Sequence, residues 1–282
     1  MSGHFSAFSF VDRITVFEPG VRARGSFAIP AGIANFPACL VAEAVGQLAA
    51  WTAMAHIEFR GRPVAALASE TIFARAVQPG QVLDLAVEID DCDDAAVAYR
   101  GEASVAGVRV IELRDCLGPM LPVADFDDPV AMAAWLSLLV GKGAAPGRFA
   151  GVPELRAGRT TSAERGVAEG TLHVPAEAAF FADHFPRRPV FPATLLLDAQ
   201  LALAQGLLAE PGHASTAQNR VPTRMMRVKV RSFTGPGAAL QLRAALRPDN
   251  SHGETLLVDL TASADGKMVA TARAEFAARD CA

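Results

Sequence analysis

The sequence predicts an α+β fold: two tandem copies of one unit, each a curved antiparallel sheet wrapped round a long central helix. Three observations predict it. First, a segment recurs. Phe36-Pro-Ala-Cys-Leu-Val-Ala-Glu-Ala-Val-Gly-Gln47 reads against Phe191-Pro-Ala-Thr-Leu-Leu-Leu-Asp-Ala-Gln-Leu-Ala202, with Glu43-Ala44 falling on Asp198-Ala199. In-order matches flank it: Ile29-Pro30-Ala31 with Val174-Pro175-Ala176, Gln78 to Leu85 with Gly235 to Leu242, and Ala103 to Val110 with Ala262 to Val269. The period is too long for a solenoid, so it indicates a duplicated domain. Second, Ala38 to Ala55 and Ala193 to Leu208 are helix-length, free of proline and apolar nearly all round, the pattern of a helix buried on every face. Third, each such segment is followed by β-type runs separated by turns, as a sheet wrapping a buried helix requires.

The elements follow in order. Phe8 to Val16 reads as an opening strand, ended by the turn Glu18-Pro19-Gly20. After the first helix come Ile72 to Val77, Val82 to Ile89, Val97 to Val105 and Val108 to Leu113. Gln78-Pro79-Gly80, Asp90 to Asp94 and Ala106-Gly107 separate them. The order recurs from Thr171: a strand, a loop containing His184, the second helix, then strands from Met226 to Phe276. Asp128-Pro129 starts a further helix, Asp capping the free amides and Pro in the first turn, which runs to Val140. Gly141-Lys-Gly-Ala-Ala-Pro-Gly147 reads as a flexible linker. The expected division is 1–120, a connection over 121–155, and 156–282, with the two copies side by side as a pseudo-dimer.

Composition bounds the function. The chain has 282 residues, 51% of them hydrophobic and 20% charged, enough for two cores. A net charge of −4 argues against nucleic acid as the main partner. Cys39, Cys92, Cys116 and Cys281 show no paired spacing, so neither a disulfide framework nor a zinc ligand set is expected. No signal peptide is visible, and the longest apolar runs are broken by Glu43, Ser137 or Asp198, so no membrane span is expected. The expected location is the cytoplasm. His4, His56, His173, His213 and His252 have no motif around them. No phosphate loop or dinucleotide fingerprint is present.

The densest signal is Phe181-Ala-Asp-His-Phe-Pro-Arg-Arg-Pro-Val-Phe-Pro-Ala-Thr-Leu-Leu-Leu-Asp198. A histidine sits in a proline-stiffened loop, and an apolar run carrying one carboxylate follows. This stretch resembles the signature of the hotdog-fold β-hydroxyacyl-carrier-protein dehydratases. His184, Phe185, Pro186, Pro189, Val190, Pro192, Asp198 and Ala199 match at the same spacing, and Ala193 stands at the motif's glycine. The resemblance implies a double hotdog that eliminates water from a 3-hydroxyacyl group. The group would be carried by acyl carrier protein or coenzyme A, in a fatty-acid or polyketide pathway, with no metal or redox cofactor. In that family the histidine of one hotdog works with the acid on its partner's helix. His184 is therefore expected to be the base and Glu43 the acid. The losses in the two copies are complementary: the first keeps Glu43 and Gln47 without the histidine loop, and the second keeps the loop but has Ala202 in place of the glutamine. One composite site per chain follows, with Asp198 opposite a missing histidine.

The chemistry supports those residue types. Histidine titrates near neutrality, as a base should. A carboxyl among apolar neighbours is desolvated, which favours its proton-carrying form. Backbone amides at a helix N-terminus suit a developing oxyanion, and here they are expected between Val190 and Ala193, stiffened by Pro189. The competing readings are plain. Glu43 could be a hydrogen-bonded surface acid and Gln47 a structural partner. Asp198 reads as vestigial or structural, and becomes the acid only if the halves pair differently; its resemblance to the acid of the family's bifunctional branch raises double-bond isomerisation, which the lack of a histidine partner argues against. Arg227, Lys229 and Arg231 alternate on one strand face; with Arg187 and Arg188 they form either a solvated surface or a docking site for an acidic carrier protein. Rival functions are a hotdog acyl-thioesterase, which lacks the histidine loop, and an inactive acyl-binding or scaffolding module. Homodimerisation through sheet edges is compatible with either.

Overall fold

The computed structural model describes residues 7–146, 149–160, 164–210, 220–248 and 255–278. His4, Gly147, His213, His252 and Cys281 lie outside the described residues. In chain order the first part holds β1 (Arg13–Glu18), β2 (Arg22–Ala28), α1 (Ala38–His56), β3 (Gly61–Pro63), β4 (Leu67–Phe73), β5 (Val82–Cys92), β6 (Ala96–Val105) and β7 (Val108–Pro122). After α2 (Pro129–Val140) come β8 (Gly158–Thr160), β9 (Val167–His173), α3 (Ala193–Leu208), β10 (Arg220–Val230), β11 (Ala239–Leu246), β12 (Thr255–Ala264) and β13 (Lys267–Ala278).

All the pairings are antiparallel, and twelve strands form one path; β3 pairs with β7 off it. Outward from the central β4–β10 pair, the order is β4-β7-β6-β5-β2-β1 in one direction and β10-β13-β12-β11-β9-β8 in the other. Apart from β3, the two lists match strand for strand in chain order. The halves meet in a ladder that sets Ile72 opposite Arg224 and Leu67 opposite Lys229.

Strand alternation sends one face onto the helices. Leu83, Leu85 and Val87 of β5 are buried where α1 packs, and Leu240, Leu242 and Ala244 of β11 where α3 packs. α1 also touches α3, so the two helices share one core. α1 lies close on the sheet because Gly101 has no side chain: a Cβ there would come within 2.6 Å of Val45 Cγ1. α1 is, by length and composition alone, a helix that could cross a membrane, but 61% of its apolar window is buried inside the molecule. Asp128 caps α2, its carboxylate accepting from the amides of Val130 and Ala131.

Two strand expectations need correction. Phe8 to Val11 is not strand; β1 begins at Arg13. The Asp183 carboxylate accepts the amides of Ala7 and Phe8, while Gln47 binds the Phe8 carbonyl and the Phe10 amide. Side chains thus satisfy backbone groups that a ladder would otherwise take. The run expected over Ile72 to Val77 is β4, which lies earlier, at Leu67–Phe73.

Candidate active site

The histidine loop follows a 3-10 turn at Ala179–Ala182. The His184 amide donates to the Phe180 carbonyl, and the Val190 amide closes the loop onto the His184 carbonyl at 3.1 Å. Pro186 and Pro189 restrict the backbone between. The peptide joining His184 to Phe185 is cis. The His184 ring stacks on Phe185, with centroids 4.2 Å apart, and meets Phe8 edge-on.

His184 Nδ1 lies 2.8 Å from the Val190 carbonyl oxygen. A carbonyl only accepts, so Nδ1 carries the proton and Nε2 keeps a free lone pair. Burial holds the imidazole pKa below its ordinary value, against an opposing pull from Glu43; the Arg62 cation lowers it further. A neutral ring with a bare Nε2 is the form that removes a proton.

Glu43 reaches this place from α1 in the other half. Its Oε1 accepts from Gln47 Nε2 at 3.0 Å, and its Oε2 from Thr194 Oγ1 at 2.9 Å. The sequence around Glu43 offers little polar company, yet the fold supplies Thr194 from α3. The bond between Glu43 and Gln47, one helical turn apart, is as the spacing suggests. Arg62 comes from β3. It is ion-paired with Asp127, and its guanidinium lies 4.2 Å from the centre of the Phe185 ring.

The amide expectation is narrowed. The Val190 amide is occupied by His184 and the Phe191 amide by the Thr234 carbonyl, while Pro189 and Pro192 have none. Val190 serves through its carbonyl instead. Leu195 and Leu196 donate to Pro192, which leaves the amides of Ala193 and Thr194 without a partner among the described residues. They sit at the positive end of α3.

His184, Glu43, Gln47, Arg62, Ala193 and Thr194 line one cavity of about 190 Å³. Asp198 is not among its lining residues. Burial raises the Asp198 carboxyl to about 6. Its charge acts on Cys39, whose thiol burial pushes well up. Cys39 holds in α1 the place of Thr194 in α3, so Asp198 acts electrostatically on the position equivalent to the one that hydrogen-bonds Glu43, with no histidine beside it among the described residues. Residues 29–37, ahead of α1, contain none.

The basic residues divide. Arg187 donates to the Ala124 carbonyl and pairs with Asp128 at 3.5 Å. Arg188 lies over the rings of Phe126 and Phe233. Arg227, Lys229 and Arg231 are exposed, with the ladder to β13 bulged around Arg227. Reading the sequence missed Arg62, Asp127 and Thr194. Thr194 lies inside the motif itself, and its polarity in an apolar run was the available signal.

Residues 155–273 match the FabA-like domain family. The chain is 30% identical over 113 residues to the 3-hydroxyacyl-(acyl-carrier-protein) dehydratase FabZ of Clostridium acetobutylicum, covering 36% of this chain and 80% of that protein. Among solved structures it is similar to a protein assigned as an oleoyl thioesterase from Lactobacillus plantarum, with TM-score 0.60 and 10% identity over 92% of this chain and 96% of that one. A MaoC-like dehydratase gives TM-score 0.51 and 14% identity over 88% and 86%. These neighbours are hotdog proteins of both reaction classes, so at such low identity they speak to the fold alone. The FabZ relationship and the FabA-like match over the histidine loop decide the family: the chain belongs to the hotdog-fold hydroxyacyl-carrier-protein dehydratases.

Proposed function

We propose that the chain is a double hotdog, with units at 1–120 and 156–282 joined by 121–155, that dehydrates a 3-hydroxyacyl thioester to the trans-2-enoyl thioester at one composite site. One observation carries the reading: His184, with Nδ1 engaged and Nε2 without a partner among the described residues, shares a cavity with Glu43 of the other half. His184 Nε2 takes the proton from the carbon beside the thioester carbonyl. The electron pair forms the new double bond as the C–O bond at carbon 3 breaks. Glu43 is the acid that delivers a proton to the departing hydroxyl, which leaves as water. The protonated His184 and the Glu43 carboxylate then reset through solvent. The Ala193 and Thr194 amides hold the charge that develops on the thioester oxygen. No step calls for a metal or redox cofactor.

The thioester carrier is acyl carrier protein. Arg187 and Arg188 are already engaged by the connection and by aromatic rings, so Arg227, Lys229 and Arg231 are the cations that remain to meet an acidic partner. Isomerisation through Asp198 is not supported, because that carboxyl does not line the cavity.

The test is interconversion of a 3-hydroxyacyl and 2-enoyl thioester pair. His184→Ala and Glu43→Gln should each lower kcat by ~10²–10⁴, and Asp198→Asn should retain activity. A dead Asp198→Asn with an active Glu43→Gln would mean that the halves pair otherwise. Release of free thiol without enoyl product would replace dehydration by hydrolysis.

A further inference from the structure

Residues 7–10 precede β1 and lie in no strand. Their hydrogen-bonding groups are taken up by two side chains. The Ala7 and Phe8 amides donate to Asp183 Oδ2 at 2.9 and 2.8 Å, and the Ser9 hydroxyl donates to the same oxygen at 3.3 Å. Gln47 Oε1 accepts the Phe10 amide at 2.8 Å, and Gln47 Nε2 donates to the Phe8 carbonyl at 3.0 Å. Each of these two side chains adjoins a group proposed to move a proton. Asp183 directly precedes His184 in the loop, and Gln47 donates to Glu43 on α1. The segment therefore joins the neighbour of the base to the neighbour of the acid.

The segment also touches the base itself. Phe8 is buried, and its ring meets the His184 imidazole edge-on with centroids 5.5 Å apart. Phe8, Ser9, Gln47, Asp183 and His184 border one small cavity of about 40 Å³ together with Arg62. A physical need matches this arrangement. Glu43 stands on a helix, whereas His184 arrives on a loop, and a loop holds a side chain less precisely than a helix does. Donors converging on one carboxylate oxygen make strong, directional bonds, and here they tether that loop to the segment that Gln47 anchors on α1.

We infer that residues 7–10 are a strap that fixes the His184 imidazole relative to Glu43, and that Asp183 is the positioning residue through which the strap acts. This deepens the dehydratase reading and rests on it for the proton transfers that the fixed spacing serves. Asp183 touches no reacting atom; it works by holding Phe8 against the imidazole. All three strap bonds reach one oxygen, so the amide oxygen of an asparagine can take its place. That substitution removes the charge, which also acts on Arg62, while keeping an acceptor. It therefore separates tethering from electrostatics.

The test measures turnover of a 3-hydroxybutanoyl thioester and the nitrogen NMR spectrum of the His184 ring, assigned by difference from His184→Ala, in wild type, Asp183→Ala, Asp183→Asn and Phe8→Leu. Asp183→Ala should lower kcat by ~10–10²-fold, the cost of a misplaced reacting group, with KM nearly unchanged. Its His184 signal should pass from the single Nδ1–H tautomer of wild type to an average of the two. Asp183→Asn should keep most of kcat and the single tautomer. Phe8→Leu keeps the segment apolar but takes the ring from the imidazole. It should move both readouts in the direction of Asp183→Ala by less, and it decides alone if Asp183→Ala does not fold. Wild-type kcat in Asp183→Ala, a loss in KM alone, or an Asp183→Asn as slow as Asp183→Ala would overturn the strap. The spectrum separates this from the dehydratase reading. If wild type turns over no thioester but Asp183→Ala averages the tautomers, the strap stands and the dehydratase reading falls. If turnover is normal and both readouts ignore Asp183, the reverse holds.

Discussion

The Arg62 guanidinium is a largely buried cation within electrostatic reach of both groups proposed to move protons. Its own burial disfavours the charge, and Asp127 first, then Glu43 and Asp183, offset that. Two charged groups act on His184, Glu43 from α1 and Arg62 from β3, and Asp127 and Asp183 act in turn on Arg62. The Arg62 cation disfavours a protonated imidazole. Removing that cation therefore raises the His184 pKa, and the ring stays protonated, unable to act as a base, up to higher pH. Arg62→Gln should shift the acid limb of the kcat/KM profile upward, and Arg62→Lys should shift it less because the charge is kept. An unchanged limb in Arg62→Gln would remove Arg62 from the electrostatics of the site. Thr194 acts on a simpler level, fixing one oxygen of Glu43 while Gln47 fixes the other.

At the level of elements, the connection before α2 braces the histidine loop. The Phe126 carbonyl accepts the Arg187 amide at 3.0 Å, Phe126 packs edge-on against Phe185, and Asp127 holds the arginine that covers the same ring. Asp127 is 2% exposed, so truncating it strands a buried cation. Asp127→Ala should cost ~3–5 kcal/mol, read as a lowered denaturant midpoint, and the pair Arg62→Met/Asp127→Leu should recover most of it. A loss below ~1 kcal/mol would mean that the ion pair does not brace the loop. This bracing was not legible in the sequence, for a physical reason. The apolar faces of α1 and α3 and the Asp128 cap are local patterns, and they read correctly. Arg62, Asp127 and Thr194 matter through contacts between segments far apart in the chain, and no local period encodes those. The same holds for β4. Its start at Leu67 is set by pairing with Lys229 of β10, while the apolar run that suggested a strand continues to Val77. Phe8 to Val11 misled in the opposite sense, since Asp183 and Gln47 take the hydrogen bonds that an alternating apolar run would ordinarily give to a sheet.

At the scale of the molecule, the β4–β10 ladder joins the strands of the two halves of the chain into one sheet, and α1 and α3 pack against each other beneath it. Each strand of that ladder has its other edge taken, β4 by β7 and β10 by β13. The junction is therefore interior to the sheet, and swapping halves between chains would have to open both edges. The connection and its α2 keep the partner half at high effective concentration, favouring pairing within the chain. A composite site built in this way has a consequence that separates it from one shared between chains. His184→Ala keeps Glu43, and Glu43→Gln keeps His184, so each inactive variant holds the half that the other lacks. If the site forms within one chain, mixing the two folded variants restores nothing, at any protein concentration. If instead His184 of one chain meets Glu43 of another, mixed dimers contain one intact site, and activity returns with the kinetics of subunit exchange. Assaying the mixture over time, with the fold of each variant verified by circular dichroism, distinguishes the two. The continuous sheet predicts a flat baseline, and recovered turnover would move the site from the chain to an assembly of chains.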